Sequence, residues 1–287
     1  MIIYRAMRTA WAYLLATALG AGAVPGVMPG APALAQAIVS TGESFVTARL
    51  AVGPRSGDGL REAGLVLDIA KGWKTYWRNP GEAGIPPAFD WSGSRNVADI
   101  EIDWPRPTSF ESFGMRTLGY ARQVVLPLRI HPVDPAAPVG LDLRVALGVC
   151  SDICILEETR VQREIPAGAE GEDAALIAAA RATVPGPGAG QGLVSAVCRV
   201  TGTGTDRGFT ARLVFDKALA DPTIVLEGPA DSWFHGTEIA SDGAEIAVSS
   251  QLSLVDPAAW IERGDLRISV FAGDVAADIR GCTAPAG

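Results

Sequence analysis

The sequence predicts an all-β protein with two antiparallel β-sandwich domains joined by a short helical linker. Between Ser40 and Ile165, short runs of alternating or β-branched residues recur at a spacing of about ten residues, and Gly, Pro, Asp and Asn separate them. Similar runs continue from residue 193 to the end of the chain. Regularly spaced short strands with turn residues between them are typical of antiparallel sandwiches.

The segment between the two series of strands has a different composition. Residues 167–192 contain one Ala-rich stretch, at about 173–183, and Gly and Pro lie on both sides of it. This composition is typical of a linker that contains a short helix. We therefore expect one domain at residues 38–166 and a second at residues 193–287.

The first 35 residues have the pattern of a secretory signal peptide. Arg5 and Arg8 precede an apolar run, and Ala33 and Ala35 occupy the small-residue positions that a signal peptidase recognises. Prolines interrupt the run before it reaches the roughly 20 residues that a membrane span needs. An uncleaved anchor is therefore the weaker interpretation. We expect cleavage near Ala35, export, and no stable membrane insertion.

The charge balance argues against two classes of partner, nucleic acids and anionic lipid surfaces. The chain has 24 basic and 32 acidic residues and a net charge of −8; removal of the first 35 residues takes away two basic residues and no acid, which gives −10. An acidic chain without basic clusters is not suited to nucleic acids or anionic lipid surfaces. The four cysteines of an exported chain are expected to form two disulfides.

The segment LGVCSDICIL places Cys150 and Cys154 between two predicted strands with three residues between them. If Ser151, Asp152 and Ile153 form a three-residue hairpin loop, the two cysteines lie opposite each other at its mouth. Opposed strand residues are about 4.5 to 5.5 Å apart at Cα, which a disulfide accepts. Such loops favour one left-handed residue, and here a residue other than Gly would have to adopt that conformation.

The two possible disulfides differ in what they contribute to stability. A bond between Cys150 and Cys154 closes a loop of five residues and contributes only about 2 kcal/mol in the chain-entropy model. A bond between Cys198 and Cys282 encloses about 85 residues and contributes roughly 4 to 5 kcal/mol. We therefore predict that Cys198 and Cys282 form a structural disulfide and that the close pair serves redox chemistry.

The close pair has two other interpretations, a metal site and an inert local disulfide. Structural zinc needs four Cys or His ligands, and the only histidines, His131 and His235, are distant from the cysteines in sequence. Two thiolates could hold Cu(I), which is a soft ion. We predict no cofactor, and Cu(I) at Cys150 and Cys154 is the alternative.

Acidic residues lie close to the pair. They are Asp152, Glu157 and Glu158, and no Lys or Arg lies between residues 145 and 159. Because anionic surroundings disfavour a thiolate, the pair is expected to react only when a partner thiolate attacks its disulfide or a partner assists deprotonation. The side chains of Asp152 and Glu157 are expected to be simply solvated. The alternative is that one of them acts as a local base for the cysteines.

Four segments carry a family resemblance: GWKTYWRNPGEAGIPPAFDWSGSRNV, WPRPTSFESFGMRTLGY, VVLPLRI and LGVCSDICIL. Together they resemble the N-terminal periplasmic domain of the thiol:disulfide interchange protein DsbD, and more closely its ScsB-like variant from the copper-sensitivity-suppressor branch. The resemblance extends from about Ser40 to Ile165. The later block, with Cys198 and the closing DIRGC, is more weakly similar to the second region that accompanies this domain in ScsB-like proteins.

The resemblance implies an immunoglobulin-like sandwich in the periplasm. Such a domain takes electrons from a membrane-embedded thiol transporter and passes them to thioredoxin-like oxidoreductases. Cys150 and Cys154 correspond to the redox pair, and Cys154 would form the mixed disulfide with partners. In the family a cap loop with a Phe shields the disulfide. The segment SFESFGMRT stands in its place, with Phe113 as the first candidate and Phe110 as the second; a core role for either Phe is the alternative.

Two departures limit what the resemblance implies. The best-known interchange protein has a longer loop between its cysteines, so its reduction potential and partner geometry do not carry over. The electron donor is expected on another polypeptide, because this chain shows no transmembrane segment after its first domain.

Five aromatic residues could either line a docking surface around the cysteine pair or fill the sandwich core and its end cap: Trp73, Tyr76, Trp77, Trp91 and Trp104. We favour the core for the tryptophans and expect Tyr76 to face the hairpin. The functional hypothesis is a thiol–disulfide oxidoreductase. The alternatives are a Cu(I)-binding copper-tolerance protein that uses the same sulfurs and a binding module without redox activity.

Overall fold

The computed structural model describes residues 44–57, 59–112 and 114–285. The predicted signal peptide at residues 1–35 and the cap candidate Phe113 lie outside these ranges. Within them, no helix is both long enough and apolar enough to cross a membrane.

The first half of the described chain forms an antiparallel sandwich of two sheets. Its strands are β1 (Val46–Arg55), β2 (Arg61–Ile69), β3 (Lys74–Gly81), β4 (Ala88–Asp90), β5 (Asp99–Ile102), β6 (Thr108–Ser112), β7 (Met115–Ala121), β8 (Gln123–His131), β9 (Val139–Cys150) and β10 (Cys154–Ile165). One sheet has the order β1-β2-β8-β5. The other has the order β10-β9-β3-β7-β6, and β4 pairs with β9.

Alternation of side chains along β9 builds the core of this sandwich. Successive residues of a strand point to opposite faces of the sheet. Every second residue of β9 is apolar and buried: Val139, Leu141, Leu143, Val145, Leu147 and Val149. They pack with residues of the facing sheet and with the fully buried Trp77. The opposite face of β9 ends at Gly148 and Cys150, and this face carries the candidate site.

The second half of the described chain forms another pair of sheets. Its strands are β11 (Gly186–Pro187), β12 (Leu193–Thr201), β13 (Asp206–Phe215), β14 (Thr223–Glu227), β15 (Ser232–Asp242), β16 (Glu245–Leu254), β17 (Arg267–Ala272) and β18 (Val275–Arg280). The sheet orders are β11-β18-β17-β14 and β12-β13-β16-β15. All pairings are antiparallel except the short parallel pair β11–β18. The all-β prediction with two sandwiches is confirmed.

Helix α1 (Ala174–Arg181) lies in the predicted linker and packs on the first sandwich. Ile177 is fully buried against Val66 and Val125 of that sandwich. No side chain caps the N-terminus of the helix. Since short helices are marginal by themselves, this burial is what stabilises α1, and the segment is anchored at this point.

A disulfide joins the two ends of the second sandwich. Cys198 in β12 is bonded to Cys282, which follows β18, and their Cα atoms are 5.7 Å apart. The backbone on both sides of the bond also pairs, because Cys198 N–H donates to the Thr283 carbonyl and Thr283 N–H donates to the Ala196 carbonyl. The chain end is thereby held as an additional short strand beside β12.

Candidate functional site

The β9–β10 hairpin presents the close cysteine pair. Cys150 and Cys154 are opposed in the strand register, which confirms the predicted three-residue loop. The Ser151 N–H donates to the Ile153 carbonyl at 2.9 Å. Contrary to expectation, none of these three described loop residues has a positive φ. The loop therefore closes without a left-handed residue.

The two sulfurs of this hairpin have different surroundings. Cys150 and Cys154 are bonded to each other, with their Cα atoms 4.1 Å apart. Cys150 is 1% exposed, whereas Cys154 is exposed at the start of β10. Since thiol–disulfide exchange requires direct contact between sulfurs, Cys154 is the sulfur that an incoming thiolate can reach.

Tyr76 from β3 covers the buried sulfur. Its hydroxyl donates a hydrogen bond to Cys150 Sγ at 3.0 Å and lies 3.6 Å from Cys154 Sγ. Burial raises the pKa of the Tyr76 phenol, so the hydroxyl keeps its proton at neutral pH and remains a donor. The structure thus brings Tyr76 to the disulfide, as the sequence suggested.

Two glycines make room for the ring of Tyr76. A Cβ on Gly84 would lie 2.5 Å from the ring, and Gly84 has φ +127°, a conformation that other residues avoid. A Cβ on Gly148 would lie 3.1 Å from the ring and 2.8 Å from Ile85 Cβ. The ring is therefore held between two backbone segments, and its hydroxyl has little freedom to leave the sulfur.

Lys74 is the residue that sequence reasoning missed. It lies opposite Cys150 in the β3–β9 pairing, and its Nζ is 5.1 Å from the centre of the Phe110 ring. Burial lowers the pKa of the Lys74 ammonium. A search for cations near the cysteines in sequence could not find it, because β3 lies more than 70 residues before the hairpin. The site is thus less anionic than the local sequence indicated.

The chain is similar to known proteins both in sequence and in structure. Residues 43–166 match the family model described as thiol:disulfide interchange protein DsbD, N-terminal. This part of the chain is therefore similar to the DsbD N-terminal family. The chain is also similar to the crystal structure of the N-terminal periplasmic domain of ScsB from Proteus mirabilis. That match has 24% sequence identity and a TM-score of 0.62, and it covers 83% of this chain and 92% of the other.

The structural likeness extends beyond the family segment. Residues 43–166 make up less than half of the 287 residues, whereas the ScsB match covers 83% of the chain. It therefore includes strands of both sandwiches and shows a shared fold. No curated protein gave a significant match to the sequence.

The hairpin of β6 and β7 holds the predicted cap segment of the first sandwich. Phe110 is half-buried, and its ring lies beneath the Lys74 ammonium. Lys74 in turn pairs with Cys150. Phe110 therefore contacts the side chain of the residue that lies opposite Cys150 in the strand register. Phe113, the first cap candidate, lies outside the described residues, and both cap assignments stay predictions.

The two acidic candidates differ in their surroundings. Asp152 is exposed in the hairpin loop. Glu157 accepts hydrogen bonds from Phe45 N–H at 2.6 Å, Val46 N–H at 3.2 Å and the Ser44 hydroxyl at 3.1 Å. These bonds use the Glu157 carboxylate to anchor the start of β1. Glu157 is therefore a structural acceptor, which does not support a role as a base for the cysteines.

The tryptophans of the first sandwich contribute to its core. Trp77 is fully buried, and Trp73, Trp91 and Trp104 pack against the core cluster. Trp73 stacks on Phe45 with ring centres 3.8 Å apart. The core interpretation is confirmed for these four residues.

Among the described residues, one group has ligand atoms close enough to hold a metal ion. It consists of Asp99, Glu101 and His131 at the β5–β8 edge. The Arg129 guanidinium lies 2.9 Å from Glu101 and 2.9 Å from Asp103. This positive charge already compensates the carboxylates, and the group is in the sheet that does not contain the cysteines.

Proposed function

We propose that this protein is a periplasmic thiol–disulfide exchange module. It accepts reducing equivalents from a membrane-embedded thiol transporter and passes them to thioredoxin-like proteins through Cys150 and Cys154. The observation that carries the proposal is the asymmetry of the disulfide, in which an exposed Cys154 is bonded to a buried Cys150. The match of residues 43–166 to the DsbD N-terminal family model supports it, as does the predicted signal peptide.

The exchange takes place in two steps. A thiolate of the reduced donor attacks Cys154 Sγ; the bond between Cys154 and Cys150 breaks, and Cys150 leaves as a thiolate. The second thiolate of the donor then attacks the donor sulfur of the mixed disulfide and releases Cys154. Two electrons and two protons have then moved to the cysteine pair, and the donor has become a disulfide. Delivery to an oxidised thioredoxin-like protein is the reverse sequence, with Cys154 as nucleophile and Cys150 as the resolving thiol.

Tyr76 and Lys74 assist the departure of Cys150. Negative charge develops on the Cys150 sulfur when the disulfide opens, and the Tyr76 hydroxyl already donates to that sulfur. Hydrogen bonds to an ionised acceptor are stronger than those to a neutral one. The Lys74 ammonium, on the neighbouring strand position, adds favourable charge. Both groups stabilise the buried thiolate and leave the exposed sulfur free to contact the partner.

Electron transfer from reduced thioredoxin to the oxidised protein tests the proposal. We expect wild type to accept two electrons and expect Cys150→Ser and Cys154→Ser to accept none. A variant with both Cys198→Ser and Cys282→Ser is the matched control, because it lacks the other disulfide and should keep the exchange. Undiminished exchange in both single variants of the hairpin would contradict the proposal.

A further inference from the structure

A groove of about 1070 Å³ lies between the two sandwiches. One wall is formed by the end of β3 and by the β6–β7 hairpin, including Glu82 and Phe110. The other wall is formed by β14 and β15, including Val225, Trp233 and Ile239. Trp233 is 53% exposed and Ile239 is 39% exposed. The second sandwich therefore presents exposed apolar side chains towards the side of the first sandwich that carries the predicted cap segment.

The two walls are joined by a buried polar contact. Arg78 donates two hydrogen bonds to Glu227, at 3.0 Å and 2.8 Å, and a third to the Ser269 hydroxyl at 3.1 Å. The side chains of Arg78 and Glu227 are only 11% and 19% exposed. Trp77 also contacts Phe271 edge to face, with ring centres 5.5 Å apart. Paired, hydrogen-bonded ions of this kind specify one arrangement of the surfaces they join.

Residues of β3 and of the β6–β7 hairpin link the groove to the strand that pairs with Cys150. Phe110 lines the groove and also lies beneath Lys74, the residue opposite Cys150. Glu82 lines the groove as well. It begins the short segment that leads to Gly84 and Ile85, which contact Tyr76 and Gly148.

Exposed apolar residues extend from the hairpin towards the groove. Ile153 and Leu156 flank Cys154 and are 64% and 57% exposed. Ile85, in the segment between β3 and β4, and Met115, the first residue of β7, are 40% and 39% exposed. Together with the apolar residues of β15, they account for six of the ten large apolar side chains that are exposed among the described residues. Apolar surface concentrated in this way marks an interaction site.

We propose that this groove is part of the docking surface for the thioredoxin-like protein that exchanges with Cys154, with Trp233 and Ile239 contacting an apolar surface of that protein. The inference rests on the proposed function. A partner must bring its own sulfur into contact with Cys154, and a specific protein interface buries about 800 Å² on each side. The tip of a three-residue loop is much smaller than this, so the partner must also cover neighbouring surface. The adjoining apolar surface leads to the second sandwich.

The test compares a protein thiol with a small thiol. The variant is Trp233→Ala combined with Ile239→Ser, and Trp260→Ala is the matched control because Trp260 is 82% exposed and does not line the groove. Reduced thioredoxin and dithiothreitol are the two reductants. We expect the second-order rate constant with thioredoxin to fall by about 10-fold in the variant, the effect of losing an apolar contact residue at an interface. The rate with dithiothreitol and both rates of Trp260→Ala should equal those of wild type.

The other outcomes are distinguishable. Equal rates with thioredoxin for wild type and variant would overturn the groove proposal alone. A parallel fall with dithiothreitol would also overturn it, because the substitutions would then act on the disulfide and not on docking. A wild-type disulfide that dithiothreitol reduces but thioredoxin does not would contradict the proposed function. Dimerisation of wild type in sedimentation, lost in the variant, would show that a second copy of the chain occupies the groove.

Discussion

The hydroxyl of Tyr76 lies 3.0 Å from Cys150 Sγ, the buried sulfur of a disulfide whose other cysteine is exposed. Because of this contact and the difference in exposure, Cys150 and Cys154 have different roles in the exchange reaction. The exposed sulfur is open to attack, and the buried one leaves beside a hydrogen-bond donor. The following predictions test this arrangement and the packing that maintains it.

Tyr76→Phe removes the hydroxyl and keeps the ring between its two glycines. A hydrogen bond to a charged group contributes about 1.5 to 3 kcal/mol, so we expect reduction of the disulfide by thioredoxin to slow by about 10- to 100-fold. In the reduced protein, alkylation of Cys150 should require a higher pH. Tyr120→Phe is the matched control, because the Tyr120 hydroxyl is also buried but donates to the Pro105 carbonyl. A slow Tyr120→Phe and a normal Tyr76→Phe would contradict the assignment.

Gly84→Ala should destabilise the protein and disturb the position of Tyr76. The new Cβ would lie 2.5 Å from the Tyr76 ring, and overpacking of this kind costs about 1 to 3 kcal/mol. Gly72→Ala is the control for backbone strain, since Gly72 has φ +86° with no atom within 4 Å of the added Cβ. Urea denaturation should show the larger loss for Gly84→Ala. Equal losses would mean that the ring moves aside without cost.

The two disulfides should differ in their effect on stability. The chain-entropy model predicts a loss of about 4 to 5 kcal/mol when Cys198 and Cys282 are both replaced by Ser, because their bond spans 84 residues. Replacement of Cys150 and Cys154 should cost about 2 kcal/mol or less. Guanidinium denaturation of the two double variants measures both values. A larger loss for the hairpin pair would indicate a structural role for that disulfide.

Asp142 should titrate at unusually low pH. It accepts hydrogen bonds from Arg160 and Gln162 across the β9–β10 pairing, and these bonds lower the pKa of its carboxyl to about 2. Because the folded pKa lies below the ordinary value of 3.8, the contribution to stability is present above that value and is lost as the pH falls through about 2. An NMR titration should show this midpoint. Arg160→Gln should raise it, and an unchanged midpoint would contradict the assigned cause.

The sequence was sufficient for features that depend on local pattern. The register of the cysteine hairpin follows from a loop of three residues, and the burial along β9 follows from its alternation. Lys74 could not be predicted beside Cys150, because the pairing of β3 with β9 joins segments more than 70 residues apart. The groove could not be predicted from the sequence either, because it depends on the pairing of Arg78 in one sandwich with Glu227 in the other.

Composition was also insufficient to place α1. The Ala-rich stretch predicts a helix, but Gly and Pro on both sides suggested a free linker. The burial of Ile177 on the first sandwich and the ion pair between Arg181 and Asp103 show that the segment is anchored. In the loop of the cysteine hairpin, the known preferences of three-residue loops predicted a left-handed residue, but the observed loop has none.

Identification of the sulfur that an incoming thiolate attacks tests the proposed exchange mechanism most directly. A thioredoxin variant with only its attacking cysteine would form a mixed disulfide with the oxidised wild-type protein, and rapid alkylation of the released thiol would trap it before that thiol re-forms the original disulfide. Peptide mapping by mass spectrometry would then identify the bonded cysteine. We expect thioredoxin to be bonded to Cys154 and the alkyl group to be on Cys150, and thioredoxin bonded to Cys150 would contradict the proposed mechanism.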